Sequence, residues 1–395
     1  MNSSTIDYKD LQLNALLEVT QAVNNNLSED DLFKIYKFTL LADLRINRLA
    51  LFTENGGQWR CRVNFGTEQD FTPLLLPTEY LEIEGEIAPS LDEFRVFDSA
   101  FPVYHKEKLL AVVFIEAGNE LAIENRFLNA LTNIILVAIE NKRLARKQMA
   151  QEAYRRELEI AKKVQNFLFP KNLPKVERLQ IEAVYLPHYD VGGDYYDYIQ
   201  IDANRFLVCI ADVSGKGVPA ALLMSNFQAS LRALVRRTQD LQEIVEELNH
   251  STYVSGNAEN FITFFASIYD YQSQSLEYIN CGHNEILLYQ GVDYQLLTKG
   301  TTVLGMFDPL PFIETIKVGS LSSFTLFMYT DGLTETFDEQ QEPFEFDRLT
   351  EILQKDFSKD IKVIQTDVIE ALNNFRGKEP FHDDITMLTC RVVNE

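Results

Sequence analysis

"RFLVCIADVSGKGVPAALLMS", residues 205–225, changes character at its middle. Arg205 to Ala211 is an apolar run of strand length that must be buried. From Pro219, placed where a first helical turn tolerates it, the residues read as a helix through about Arg237. Between the two lie Asp212 and a loop holding Gly215 and Gly217. A carboxylate at the end of a buried strand is either a turn residue or a functional group, and one example does not decide.

The pattern recurs. In "SFTLFMYTDGLTETF" (323–337) a second strand stops at Asp331 and Gly332, and in "HDDITMLTCRVV" (382–393) the order is inverted, with Asp383 and Asp384 opening the last strand. "VGGDYYDYIQ" (191–200) sets two glycines before Asp194, which alone reads as a turn. "FITFFASIYD", "LEYINCG" and "EILLYQG" are hairpin strands. Strands lying side by side would cluster their ends, and with them these carboxylates. Buried together, carboxylates repel and lose hydration, and divalent cations relieve both costs. An all-oxygen set suits magnesium or manganese, whose octahedral shells are completed by water. Gly193, Gly215, Gly217 and Gly332 allow the close backbone approach that brings a main-chain carbonyl into such a shell. Two cations about 3.5–4 Å apart lower the pKa of a bridging water and clamp an oxyanion, which is apparatus for phosphoester hydrolysis.

Composition restricts the alternatives. Hydrophobic residues make up 46% of the 395 and charged ones 24%, a globular composition of two or three domains. The net charge of -23 repels phosphate backbones and anionic lipid, so no nucleic-acid or membrane partner is expected. "MNSSTIDYKD" at the start lacks a signal-peptide pattern, no apolar run approaches a membrane span, and the expected location is cytoplasmic. Cys61, Cys209, Cys281 and Cys390 are widely spaced and read as reduced core residues.

The N-terminal half reads differently. Residues 11–44 carry two helical patterns, with Ser28 as N-cap of the second. "RLALFTENGGQWRCRVNF" is a hairpin around Gly56-Gly57, a second strand pair follows, and a helix is expected at 124–144. From Asn125 to Phe169 there is no Pro or Gly; Leu158, Ala161, Val164 and Leu168 keep helical spacing, and Pro170 and Pro174 end the segment. Helices, meandering sheet and closing helix together resemble a GAF-type sensory or dimerising domain. The expected organisation is α+β: a GAF-like α/β domain at 1–142, a helical linker at 143–170 and a β-rich C-terminal domain at 171–395 that carries the acidic strand ends, in a homodimer with an unidentified upstream ligand or protein.

"GGDYYDY", "ADVSGKGVPAALLMS", "CGHNE", "YTDGLTE" and "HDDITML" stand in the order and spacing of the SpoIIE-type, RsbU-like serine phosphatases, a bacterial branch of the metal-dependent type 2C protein phosphatases, and the resemblance covers about residues 157–393. It implies an αββα sandwich with two manganese or magnesium ions at one edge. Carried over by motif, Asp212 bridges both ions with the Val213 carbonyl contributing; Asp331 and Asp383 complete one shell. Asp194 holds the second ion directly or through water, and Asp384 supports. Lys216 is either a phosphate contact or a solvated loop residue, His283 is expected to stabilise a turn, and Asp197 is expected to be structural or to support the metal ligands from behind. "GHNE" and "FEF" (344–346) depart from the family's usual Gly-His-x-Pro and Phe-Gly. The implied substrate is a phosphoserine or phosphothreonine in a separate STAS-domain protein of a partner-switching pathway. A silent scaffold of the same fold and a small-molecule phosphoesterase are the competing readings.

Overall fold

The computed structural model describes residues 8–44, 46–116, 125–256, 260–291, 293–356 and 359–393. The chain forms two compact units, Met1–Ala153 and Tyr154–Glu395.

In the first unit α1 (Tyr8–Asn24) and α2 (Glu29–Phe38) precede the hairpin of β1 (Arg48–Asn55) and β2 (Gln58–Phe65); β3 (Ser99–His105), β4 (Lys108–Glu116) and α3 (Asn125–Asn166) follow. The Ser28 hydroxyl accepts the Asp31 N–H, as an N-cap should. Glu124, the first residue of the predicted closing helix, lies outside the described residues. The antiparallel sheet has the order β2-β1-β4-β3, and strand alternation loads both faces. Leu49 and Leu51 pack with Val19, Phe33 and Leu131 on the helical side, whereas Ala50 and Phe52 join Phe71, Tyr80, Phe94 and Phe114 on the other.

α3 stops at Asn166, short of the predicted Phe169. Pro170 disfavours helical backbone before it, and Phe169 instead lies buried against Tyr196, ring centroids 5.0 Å apart. Of the predicted apolar stripe, Val164 remains 57% exposed.

The second unit continues with β5 (Lys175–Val176), β6 (Leu179–Leu186), β7 (Tyr195–Gln200), β8 (Arg205–Val213), α4 (Val218–Arg237), α5 (Leu241–Gly256), β9 (Ile262–Asp270), β10 (Ser275–Cys281), β11 (Ile286–Gln290) and β12 (Asp293–Leu297). Then come β13 (Gly300–Thr301), β14 (Ile316–Val318), β15 (Ser323–Tyr329), α6 (Asp331–Thr334), α7 (Glu345–Asp356), α8 (Ile361–Arg376) and β16 (Ile385–Val393). One sheet runs β13-β10-β9-β8-β7, with β14 also on β10, and the other β12-β11-β15-β16-β6-β5.

The apolar run 205–211 shows why the layers stack. Phe206, Val208 and Ile210 meet Leu326, Met328 and Leu388 of the facing sheet, while Leu207, Cys209 and Ala211 meet Met224, Phe227 and Leu248 of α4 and α5. On the far side Phe327, Tyr329 and Met387 pack under α7 and α8. Helix, sheet, sheet and helix make the αββα sandwich, and a strand between two apolar layers has no polar face to display. All four cysteines are buried and free.

Candidate metal centre

Strand register brings the acidic residues to one edge of the sandwich. β7 and β8 run antiparallel with Tyr195 opposite Ala211, which sets Asp194 beside Asp212. β15 and β16 pair Tyr329 with Met387, so Asp331 leaves one strand where Asp383 and Asp384 enter the other. The Thr330 N–H bonds the Thr386 carbonyl at 3.0 Å and extends this ladder to the acids themselves. Both sheets thus end in carboxylates at the same edge.

Asp194 is 1% exposed. Its Oδ2 accepts the hydroxyls of Thr330 at 2.8 Å and Thr386 at 2.5 Å. Burial pushes its carboxyl well above the usual range, and the charges of Asp212 and Asp384 push the same way against those two hydroxyls. Asp212 is raised to about 7, chiefly by burial and then by Asp331 and Asp383, with a hydrogen bond to Asp194 opposing. Asp331 is raised to about 6 by burial, Glu335 and Asp383. Among the described residues no Lys, Arg or His forms an ion pair with any of these three.

Asp384 is turned to a different task. Its Oδ1 accepts the His188 N–H and its Oδ2 the Gly193 N–H, both at 2.7 Å, so it shapes the loop that presents Asp194. Expected as a supporting member of the metal set, Asp384 has both carboxylate oxygens on backbone N–H groups here. Asp383 accepts the Asp384 N–H at 2.8 Å on Oδ1, and its Oδ2 lies 2.7 Å from Lys216 Nζ. Asp194, Asp383 and Asp384 are turned toward partners of their own, and no three His, Cys, Asp or Glu side chains among the described residues form a ready-made ion shell. The strands bring the acids together as neighbours, short of convergence on one point.

Two glycines test whether the site fits a cation. A Cβ on Gly193 would stand 2.8 Å from the Val213 carbonyl oxygen, and one on Gly332 would stand 2.1 Å from the Asp384 carbonyl oxygen. Side chains there would fill the space beside the oxygen donors. With buried, mutually repelling carboxylates and a kept-clear carbonyl, the donor set fits hard divalent ions.

Several contributors were not read from the sequence. Gln165, near the end of α3, donates to the Gly192 carbonyl at 2.7 Å and accepts its N–H at 3.3 Å, clamping the Gly-Gly-Asp loop. Thr330 and Thr386 adjoin the acids in "YTDG" and "DDIT", the one signal that could have found them. Of the two roles open to Asp197 the contacts are those of a structural one: fully buried, it accepts the Arg232 guanidinium at 2.7 and 3.0 Å and the Tyr195 hydroxyl. His283 bonds the Asn280 side chain, the Thr263 hydroxyl and the Tyr329 carbonyl, and burial lowers it to about 4, so it is a neutral turn support.

Residues 202–393 match the family described as Stage II sporulation protein E (SpoIIE). Curated relatives include Protein IcfG of Synechocystis sp., 28% identical over 277 residues that cover 62% of this chain and 43% of that protein. Phosphoserine phosphatase RsbU of Bacillus subtilis is 28% identical over 247 residues, 61% of this chain and 71% of that one. The chain therefore spans less than half of the first relative and about seven tenths of the second. Among solved structures, the SiaA-PP2C domain of Pseudomonas aeruginosa superposes with a TM-score of 0.55 at 22% identity, covering 61% of this chain and 98% of that domain. No helix of the described residues is long and apolar enough to cross a membrane.

Proposed function

We propose that the C-terminal unit of this chain belongs to the SpoIIE-type, RsbU-like serine phosphatases, a reading supported by the family match over residues 202–393 and the likeness to RsbU. The chain is a metal-dependent phosphatase that hydrolyses phosphoserine or phosphothreonine on a separate protein. The observation that carries this reading is the pair of buried neighbours Asp194 and Asp212, which no cation of the described residues compensates.

In the proposed centre Asp212 and the Val213 carbonyl, with Asp331, Asp383 and Asp194, are the residues that would hold two manganese or magnesium ions, Asp194 directly or through water. Bound there, the ions supply the positive charge that acidifies water and polarises a phosphoryl oxygen. The chain's own part is placement. Thr330 and Thr386 fix the Asp194 carboxylate, and Asp384 and Gln165 fix the loop that carries it. The glycines at 193 and 332 keep the approach open. A small STAS-domain phosphoprotein is the proposed substrate. The GAF-like region 1–142 receives a ligand or partner, and the helical linker 143–170 of a homodimer relays the signal.

The test is manganese-dependent phosphate release from a phosphoserine STAS-domain protein. Asp212→Asn, Asp331→Asn and Asp383→Asn should each lower turnover by at least about a thousandfold; unchanged turnover in all three removes the assignment. A silent scaffold predicts that calorimetry finds no manganese uptake by the unsubstituted chain.

A further inference from the structure

The loop between β8 and α4 is fastened at both ends and carries two glycines in the middle. At its start the Ser214 N–H bonds the Phe261 carbonyl at 2.9 Å, and the Phe261 N–H returns to the Ser214 hydroxyl at 2.9 Å. At its end the Ala221 N–H bonds the Gly217 carbonyl at 3.0 Å and opens α4. Between these points Gly215 and Gly217 have φ of +92° and +71°, and a Cβ on either would meet nothing within 4 Å. Lys216 is therefore carried by two residues that can turn without striking a neighbour.

Its ammonium is nevertheless engaged. Nζ lies 2.7 Å from Asp383 Oδ2 and donates to the His382 carbonyl at 2.5 Å. The backbone already holds the other Asp383 oxygen, so Lys216 sits on the one left for a cation. The two side chains are 42% and 37% exposed, which screens the pair and makes its separation cheap.

We propose that Lys216 is a displaceable counter-ion, holding the free oxygen of Asp383 until a divalent cation takes it and then swinging away on Gly215 and Gly217. The inference rests on the metal-centre reading above and adds a consequence to it: cation uptake and the setting of the loop that opens α4 are one event. Lys216 is thus a positioning residue acting through Asp383.

Calorimetric titration of the full chain with manganese tests this, using the unsubstituted protein, Lys216→Met and Lys216→Arg. Lys216→Met should bind manganese roughly three- to tenfold more tightly, because a competitor and a like charge are both gone. Lys216→Arg should retain the unsubstituted affinity, and melting temperatures in chelator should agree within about 2 °C. In the unsubstituted chain manganese should speed amide exchange at residues 215–217; in Lys216→Met that exchange should be fast from the outset. Equal or weaker manganese binding by Lys216→Met overturns the counter-ion. Failure of every form to bind manganese overturns the metal centre itself, so the two failures are told apart.

Discussion

Asp194 and Asp197 are three residues apart around the start of β7, both buried, at 1% and 0% exposure, and they obey opposite rules. Asp197 meets a two-pronged guanidinium from Arg232, the Tyr195 hydroxyl and the Tyr198 N–H. Its charge is answered inside the protein. Asp194 receives two threonine hydroxyls and lies beside Asp212 and Asp384, whose charges oppose its own. Desolvation costs both carboxylates heavily, but only Asp197 recovers the cost from a fixed cation. Burial alone therefore does not mark a functional carboxylate. A buried carboxylate left without a protein cation, beside others in the same condition, marks where an external cation belongs.

The largest expected effect separates chemistry from stability at the uncompensated end. Asp212→Asn should abolish turnover and yet stabilise the chain in chelator. Its folded pKa of about 7 lies above the unfolded value near 3.8, so its contribution is full below the unfolded value and is lost as pH rises through about 7. Thermal melts of the unsubstituted chain should thus fall from pH 5 to pH 8. Asp212→Asn should flatten that fall, leaving the variant more stable at pH 8 by a few kcal/mol. A variant less stable than its parent at pH 8 would show that Asp212 is compensated by some other means.

At the compensated end the signs reverse. Arg232→Met leaves Asp197 buried and unpaired and should cost about 3–5 kcal/mol of stability. Manganese affinity should hold within about twofold, since no group around Asp194 is touched. Pairing it with Asp197→Leu should recover much of the loss, because an apolar pair replaces a buried ion pair well. Loss of manganese binding in Arg232→Met at a temperature where it is folded would erase the distinction between the two acids.

The sequence displayed one side of this contrast more readily than the other. Asp212 and Asp331 stand where apolar runs stop, and that punctuation shows without a structure because strand burial is written into composition. The sandwich layers follow from the same runs, although stacking order came from family resemblance. Asp197 and Arg232 are 35 positions apart and on different elements, so no local pattern joins them. Gln165 and Gly192 are similarly hidden, as is the turning of Asp384 onto His188 and Gly193 across nearly two hundred residues. The early end of α3 depends on Phe169 finding Tyr196, a tertiary preference invisible to helical spacing. One departure was legible: Glu345, which stands where the resemblance leads to an expected glycine, has φ of +66°, the left-handed backbone that glycine adopts freely.

The smallest expected effects concern single hydroxyls, one at each acid, and they sharpen the contrast furthest. Thr386→Val keeps shape and burial but removes the 2.5 Å donor to Asp194. Tyr195→Phe removes the hydroxyl donor to Asp197. Each deletes one hydrogen bond to a buried carboxylate, and each should cost about 1–2 kcal/mol somewhere. The place should differ. At Asp194 the hydroxyl favours the ionised form that a cation requires, so Thr386→Val should weaken manganese binding about tenfold. At Asp197 the Arg232 guanidinium already bonds both carboxylate oxygens, so Tyr195→Phe should lower the melting temperature by about 2–6 °C and leave manganese binding alone. Calorimetry and thermal melts on the two variants give four numbers. If Thr386→Val moves only stability, or Tyr195→Phe moves metal affinity, the division of labour along β7 is wrong.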